Sequence, residues 1–118
     1  MADAEAQAVA RYVQVAPQKV RRILALIRGR PADEALEVLR FAASSNAGDV
    51  GKVLRSAIAN AEKNHGMNRA RLVVYRAFAD EGPTRRWRRF GARGRFKPIL
   101  RRSSHLTVIL REQQGEPA

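Results

Sequence analysis

Arg71-Leu72-Val73-Val74-Tyr75-Arg76-Ala77-Phe78-Ala79-Asp80 and Ser104-His105-Leu106-Thr107-Val108-Ile109-Leu110-Arg111 decide the fold, together with what joins them. Both segments are rich in β-branched and aromatic residues and have the length of a strand. In the second, Leu106, Val108 and Leu110 alternate with His105, Thr107 and Ile109, the period of a strand whose two faces differ. Between them, residues 84–102 carry nine basic side chains and no acid: Arg85, Arg86, Arg88, Arg89, Arg93, Arg95, Lys97, Arg101 and Arg102. Asp80-Glu81-Gly82-Pro83 reads as the turn into this arm. About 11 residues out and 11 back, at ~3.3 Å each, would carry a hairpin tip roughly 35 Å from the body.

Working back toward the N-terminus, residues 8–15 alternate Val9, Arg11, Val13 and Val15 with Ala10, Tyr12 and Gln14, which predicts a strand stopped by Pro17. Pro17 suits a helix start, and Val20, Ile23, Leu24 and Ile27 form an apolar stripe ending near Gly29. A second, short helix starts at Pro31, with Asp33 and Glu34 in its first turn and Leu36 and Leu39 on its apolar face, and runs to about Ala43. Ser44, Ser45 and Asn46 offer capping oxygens to a third, whose stripe is Val50, Val53, Leu54, Ala57, Ile58 and Ala61 and whose stop is Gly66.

The order β-α-α-α-β-β predicts an α+β protein, three helices packed on a small antiparallel sheet with a long protruding β-hairpin. A length of 118 residues suits a single domain over 1–118. Its body is expected over about 8–80 and 104–111 and its extended basic hairpin over about 81–103, with short disordered ends, the N-terminal six or seven residues included.

Lys plus Arg number 23 against 11 Asp plus Glu, a formal net charge of +12, which calls for an anionic partner. Residues 84–118 hold 10 basic and 2 acidic side chains, net +8, against net +4 in residues 1–83. Two thirds of the charge therefore sits in the last third of the chain. Trp87, Phe90 and Phe96 interleave with the arginines as stacking surfaces for bases, and Gly91 and Gly94 allow close backbone approach.

The absence of cysteine removes disulfides, thiolate nucleophiles and Cys-based metal sites. The acidic start lacks the pattern of a signal peptide, and no window approaches the ~18 apolar residues of a membrane span, so a cytosolic place is expected. His65 and His105 lack companions for a metal, so no cofactor or metal is expected. Asp80 and Glu81 are adjacent and point to opposite faces of a strand, and Gly48-Asp49-Val50-Gly51-Lys52 lacks the spacing of a phosphate loop. No enzyme is expected. A free-standing basic nucleic-acid-binding regulator would use the same surface and stands as the alternative.

Five strings narrow this choice: Ala16-Pro17-Gln18-Lys19-Val20-Arg21, Ile27-Arg28-Gly29, Lys52-Val53-Leu54-Arg55-Ser56-Ala57-Ile58-Ala59-Asn60-Ala61-Glu62, Asp80-Glu81-Gly82-Pro83, and Arg102-Ser103-Ser104-His105-Leu106-Thr107-Val108. Together they resemble the bacterial large-subunit ribosomal protein twenty-two family over about residues 10–111, in its order and at its spacing. One departure lies in the arm, where the family usually has Pro-Arg-Ala-x-Gly-Arg-Ala and this chain has Phe90-Gly91-Ala92-Arg93-Gly94-Arg95-Phe96. The resemblance implies a structural component that binds large-subunit ribosomal RNA, supports subunit assembly and lines the nascent-peptide exit tunnel with its hairpin. Neighbouring ribosomal proteins and the nascent polypeptide would be its other partners, with no membrane and no homo-oligomer, on the cytoplasmic ribosome. RNA-binding residues expected on this reading are Arg11, Lys19, Arg21, Arg22, Arg28, Asn60, Lys63, Arg102, Ser104 and His105 in the body. In the arm they are Arg85, Arg86, Trp87, Arg88, Arg89, Arg93, Arg95, Lys97 and Arg101.

Overall fold

Each predicted helix forms where an apolar stripe meets a conformational stop. In the computed structural model, which describes residues 5–42, 46–83, 85–90 and 96–113 (85–90 and 96–101 by their backbone), α1 spans Pro17–Ile27. Pro17 occupies its first turn, and Val20, Ile23, Leu24 and Ile27 are buried along one side. Gly29, at φ 77°, then turns the chain. Helix α2, Ala32–Phe41, begins directly after Pro31 and ends before the expected Ala43, which lies outside the described residues, as do Ser44 and Ser45. Helix α3, Ala47–His65, is the longest and stops at Gly66, which takes the left-handed conformation at φ 62°.

The strands are β1 (Glu5–Val13), β2 (Leu72–Glu81), β3 (Arg85–Phe90), β4 (Phe96–Arg101) and β5 (Ser104–Glu112), with a short 3-10 turn at Arg69–Arg71 before β2. Three of them form an antiparallel sheet in the order β1-β5-β2. The helices pack on one face of it, α1 against β2 and α3 against β1 and β5. Leu24, Ile27, Leu54, Leu72, Leu106 and Leu110 are the largest wholly buried side chains and hold the two layers together. The expected α+β architecture is thereby found.

Strand β1 departs from its expected form in extent and in regularity. It begins at Glu5 and not at residue 8, so residues 5–7, expected to be disordered, are paired; Ala6 is fully buried, and Glu5 makes an ion pair with Arg111. Its covered side is the small one, Ala6, Ala8 and Ala10, which lets α3 lie close, whereas Val9 is 44% exposed. Between Ala10 and Val13 the register shifts at Tyr12, whose φ of 59° is left-handed, and this bulge returns Val13 to the core side.

Strands β3 and β4 make a separate two-stranded ribbon, paired from Arg85↔Arg101 to Phe90↔Phe96. The chain measures 66 × 28 × 20 Å with a radius of gyration of 17.5 Å. A compact chain of this length would have a radius of about 13 to 14 Å, so the molecule is elongated.

Candidate nucleic-acid interface

The ribbon's register distributes its cations. Arg85 and Arg101, Trp87 and Ile99, and Arg89 and Lys97 are opposite pairs on one side; Arg86 and Leu100, Arg88 and Pro98, and Phe90 and Phe96 alternate with them on the other. Both sides therefore carry basic positions. Arg93 and Arg95, and the glycines Gly91 and Gly94 beside them, lie outside the described residues.

The ribbon joins the body at a tight neck. Gly82 N–H donates to the Ser103 carbonyl at 2.9 Å, and Ser103 Oγ donates to the Pro83 carbonyl at 2.8 Å. A Cβ at Gly82 would overlap Ser103 Oγ and press on the Ser103 backbone at 3.3 Å, so only glycine fits without displacement. Arg102, next to this neck, is exposed.

The cations of α1 and its C-terminal cap, Arg28, divide into two groups. Lys19 and Arg22 are exposed on the helix surface. Arg21 and Arg28 reach instead to β2: Arg21 Nε and Nη2 donate to the Ala79 carbonyl at 3.2 and 2.9 Å, and Arg28 Nε donates to the Ala77 carbonyl at 2.8 Å. Gly29 N–H donates to the Val74 carbonyl at 2.8 Å in the same row. These carbonyls face outward because β2 is an edge strand, and the arginines close that edge. A guanidinium has five donors, so each arginine keeps others for an anion while its position is set by the strand. Arg30, on the same helix end, is paired with Glu34 at 2.8 Å.

Several expected contacts prove to hold the fold. Ser104 is fully buried and its hydroxyl donates to the Val15 carbonyl at 2.8 Å, which takes it out of reach of an external ligand; this corrects its place among the RNA-binding residues. Asn60 Nδ2 donates to the Gln7 carbonyl at 3.0 Å and its Oδ1 accepts from Asn64 at 2.5 Å, tying α3 to β1, while Lys63 is exposed one turn on. His105 Nδ1 accepts the Tyr12 N–H at 3.1 Å, and the two rings meet edge to face at 4.9 Å. Arg11, at the bulge, is exposed. Tyr12 beside it is 64% exposed, and its place at a bulge was invisible in the sequence, because plain strand alternation carries no signal for one.

Among the described residues no three His, Cys, Asp or Glu side chains could hold a metal ion together, and no helix is long and apolar enough to cross a membrane. A two-layer α+β body with a cation-bearing ribbon defines a small basic protein suited to an anionic partner. A family model described as ribosomal protein L22p/L17e matches residues 8–111. Curated relatives named large ribosomal subunit protein uL22 include one from Thermoanaerobacter sp. (strain X514), 53% identical over 110 residues that cover 93% of this chain and 99% of the relative. Another, from Heliobacterium modesticaldum, is 47% identical over 113 residues that cover 96% and 81%. The chain belongs to the L22p/L17e family of ribosomal proteins, structural and non-enzymatic components of the large subunit, with a place on the cytoplasmic ribosome.

Proposed function

We propose that the chain is one RNA-binding domain that binds large-subunit ribosomal RNA, supports assembly of the subunit, and lines the nascent-peptide exit tunnel with the β3–β4 hairpin. The observation that carries this reading is the acid-free stretch of residues 84–102 with its nine basic side chains, six of which, Arg85, Arg86, Arg88, Arg89, Lys97 and Arg101, belong to the two-stranded ribbon outside the three-stranded sheet. Phosphate neutralisation supplies most of the affinity, and the shape of the ribbon and its neck supplies the position. The contacts proposed are Lys19, Arg22, Arg11, Lys63, Arg102 and the ribbon's Arg85, Arg86, Trp87, Arg88, Arg89, Lys97 and Arg101, together with Arg93 and Arg95. Arg21, Arg28, Asn60 and His105 contribute as groups already held by the body. The protein acts as a single copy beside neighbouring ribosomal proteins and the nascent chain, with no membrane partner.

The test is cosedimentation with large subunits at high salt, joined to a salt titration on a ribosomal RNA fragment. If six to ten phosphates are neutralised, affinity falls ~10³-fold or more between 50 and 200 mM salt. A flat salt response would refute the charge-based reading.

A further inference from the structure

The two edges of the three-stranded sheet are finished differently. On β2 the outward carbonyls of Val74, Ala77 and Ala79 are taken by Gly29, Arg28 and Arg21. On β1, the other edge, Asn60 reaches across among the described residues, at the Gln7 carbonyl. That bond fixes the parity of the strand: Gln7 turns its main-chain polar groups away from β5, and in an antiparallel ladder so does Val9, two residues on. Among the described residues nothing pairs with Val9 on that side. Alongside runs a groove of about 230 Å³ between β1 and α3, lined by Ala8, Ala10, Val13 and Val53 and rimmed by Lys52 and Asp49.

We propose that this edge is a docking site for an extended segment of a neighbouring protein of the large subunit, which adds to the sheet as a strand beside β1. The inference rests on the chain's place in that subunit. Val9 offers a donor and an acceptor together, a pattern that a polypeptide main chain in strand spacing matches on both counts. Phosphate could accept from the N–H but would meet the carbonyl oxygen as a like charge. The groove's rim agrees: Lys52 and Asp49 cancel, so the rim carries no net positive charge of its own, unlike the cation-bearing ribbon. The segment is read as extended, with small or branched apolar side chains at alternate positions to fill the space over Ala8 and Ala10.

The experiment places the photocrosslinker p-benzoylphenylalanine at Ser56, on the groove, in chains first shown to cosediment with large subunits. A crosslink to a peptide of another ribosomal protein is expected. Val9→Pro removes the outward N–H at a position where an edge strand tolerates proline, and should cut that crosslink about fivefold, the worth of one main-chain hydrogen bond. A crosslink to RNA, to a second copy of the chain or to nothing overturns the proposal while leaving ribosomal membership intact; so does a peptide crosslink that Val9→Pro leaves unchanged. The cryo-electron microscopy structure of the unmodified subunit decides independently of any variant. Another protein's main chain within about 3 Å of the Val9 N–H and C=O supports docking, and RNA or solvent there refutes it.

Discussion

Arg28→Ala removes a guanidinium whose Nε donates to the Ala77 carbonyl at 2.8 Å across a partly buried edge. Hydrogen bonds to charged groups contribute roughly 1.5 to 3 kcal/mol, and partial exposure lets water replace some of that, so the expected loss is about 1 to 2 kcal/mol. For a chain of this size that is a fall in Tm of about 4 to 8 °C, measured by circular dichroism on the isolated protein. Arg22→Ala, on the exposed side of the same helix, should leave stability within about 0.5 kcal/mol and lower the salt slope of RNA binding by about one unit. Arg28→Lys keeps the charge but lacks the planar fork, so it should retain the RNA salt slope while remaining less stable than the native chain. An unchanged Tm in Arg28→Ala would refute the assignment of Arg28 as an edge tether. So would identical stability and salt behaviour of Arg28→Ala and Arg22→Ala.

Ser104→Ala leaves the Val15 carbonyl without its buried donor and should cost about 1 to 2 kcal/mol in urea unfolding, with RNA affinity unchanged. A loss of affinity in a fully folded variant would return Ser104 to the interface. Leu54→Ala, wholly buried under the sheet, should cost about 2 to 5 kcal/mol, and a smaller loss would mean the core closes around the cavity. Gly82→Ala overpacks the neck against Ser103 and should cost about 1 to 3 kcal/mol, with amide exchange quickening at Gly82 and Ser103 before the core. Native-like exchange at the neck would show that the ribbon's base can shift to admit a methyl group.

The helices were legible because their information is local. The stripes at Val20, Ile23, Leu24 and Ile27, and at Val50, Val53, Leu54, Ala57 and Ile58, each specify a covered side through the 3.6-residue period alone, and Gly29 and Gly66 stop them where left-handed backbone is needed. Strand β1 was only half legible. Its alternation showed a strand but not which face is covered: the alanine face lies under α3, and a bulge at Tyr12 breaks the period on which the reading depended. Among the site residues, Lys19 and Arg22 lie on the helix surface as their spacing suggests. Ser104 and Asn60 are bonded to the chain's own backbone, which their polar side chains alone do not reveal, since hydroxyl and amide groups satisfy buried or edge backbone as readily as they meet a ligand.

Composition and period by themselves determined the α+β class, the three helices, the lack of any cysteine chemistry, and the concentration of positive charge between the last two strands of the body, because these depend on residues counted or spaced within one segment. Only the tertiary structure decided the order β1-β5-β2, and with it which strands are edges. That order turns Arg21 and Arg28 toward the β2 carbonyls 58 and 49 residues away, places Ser104 under Val15 across 89 residues, and leaves the main chain of β1 facing outward. No local pattern encodes such roles, since an arginine or a serine in the sequence is the same donor whichever acceptor the folded chain brings to it.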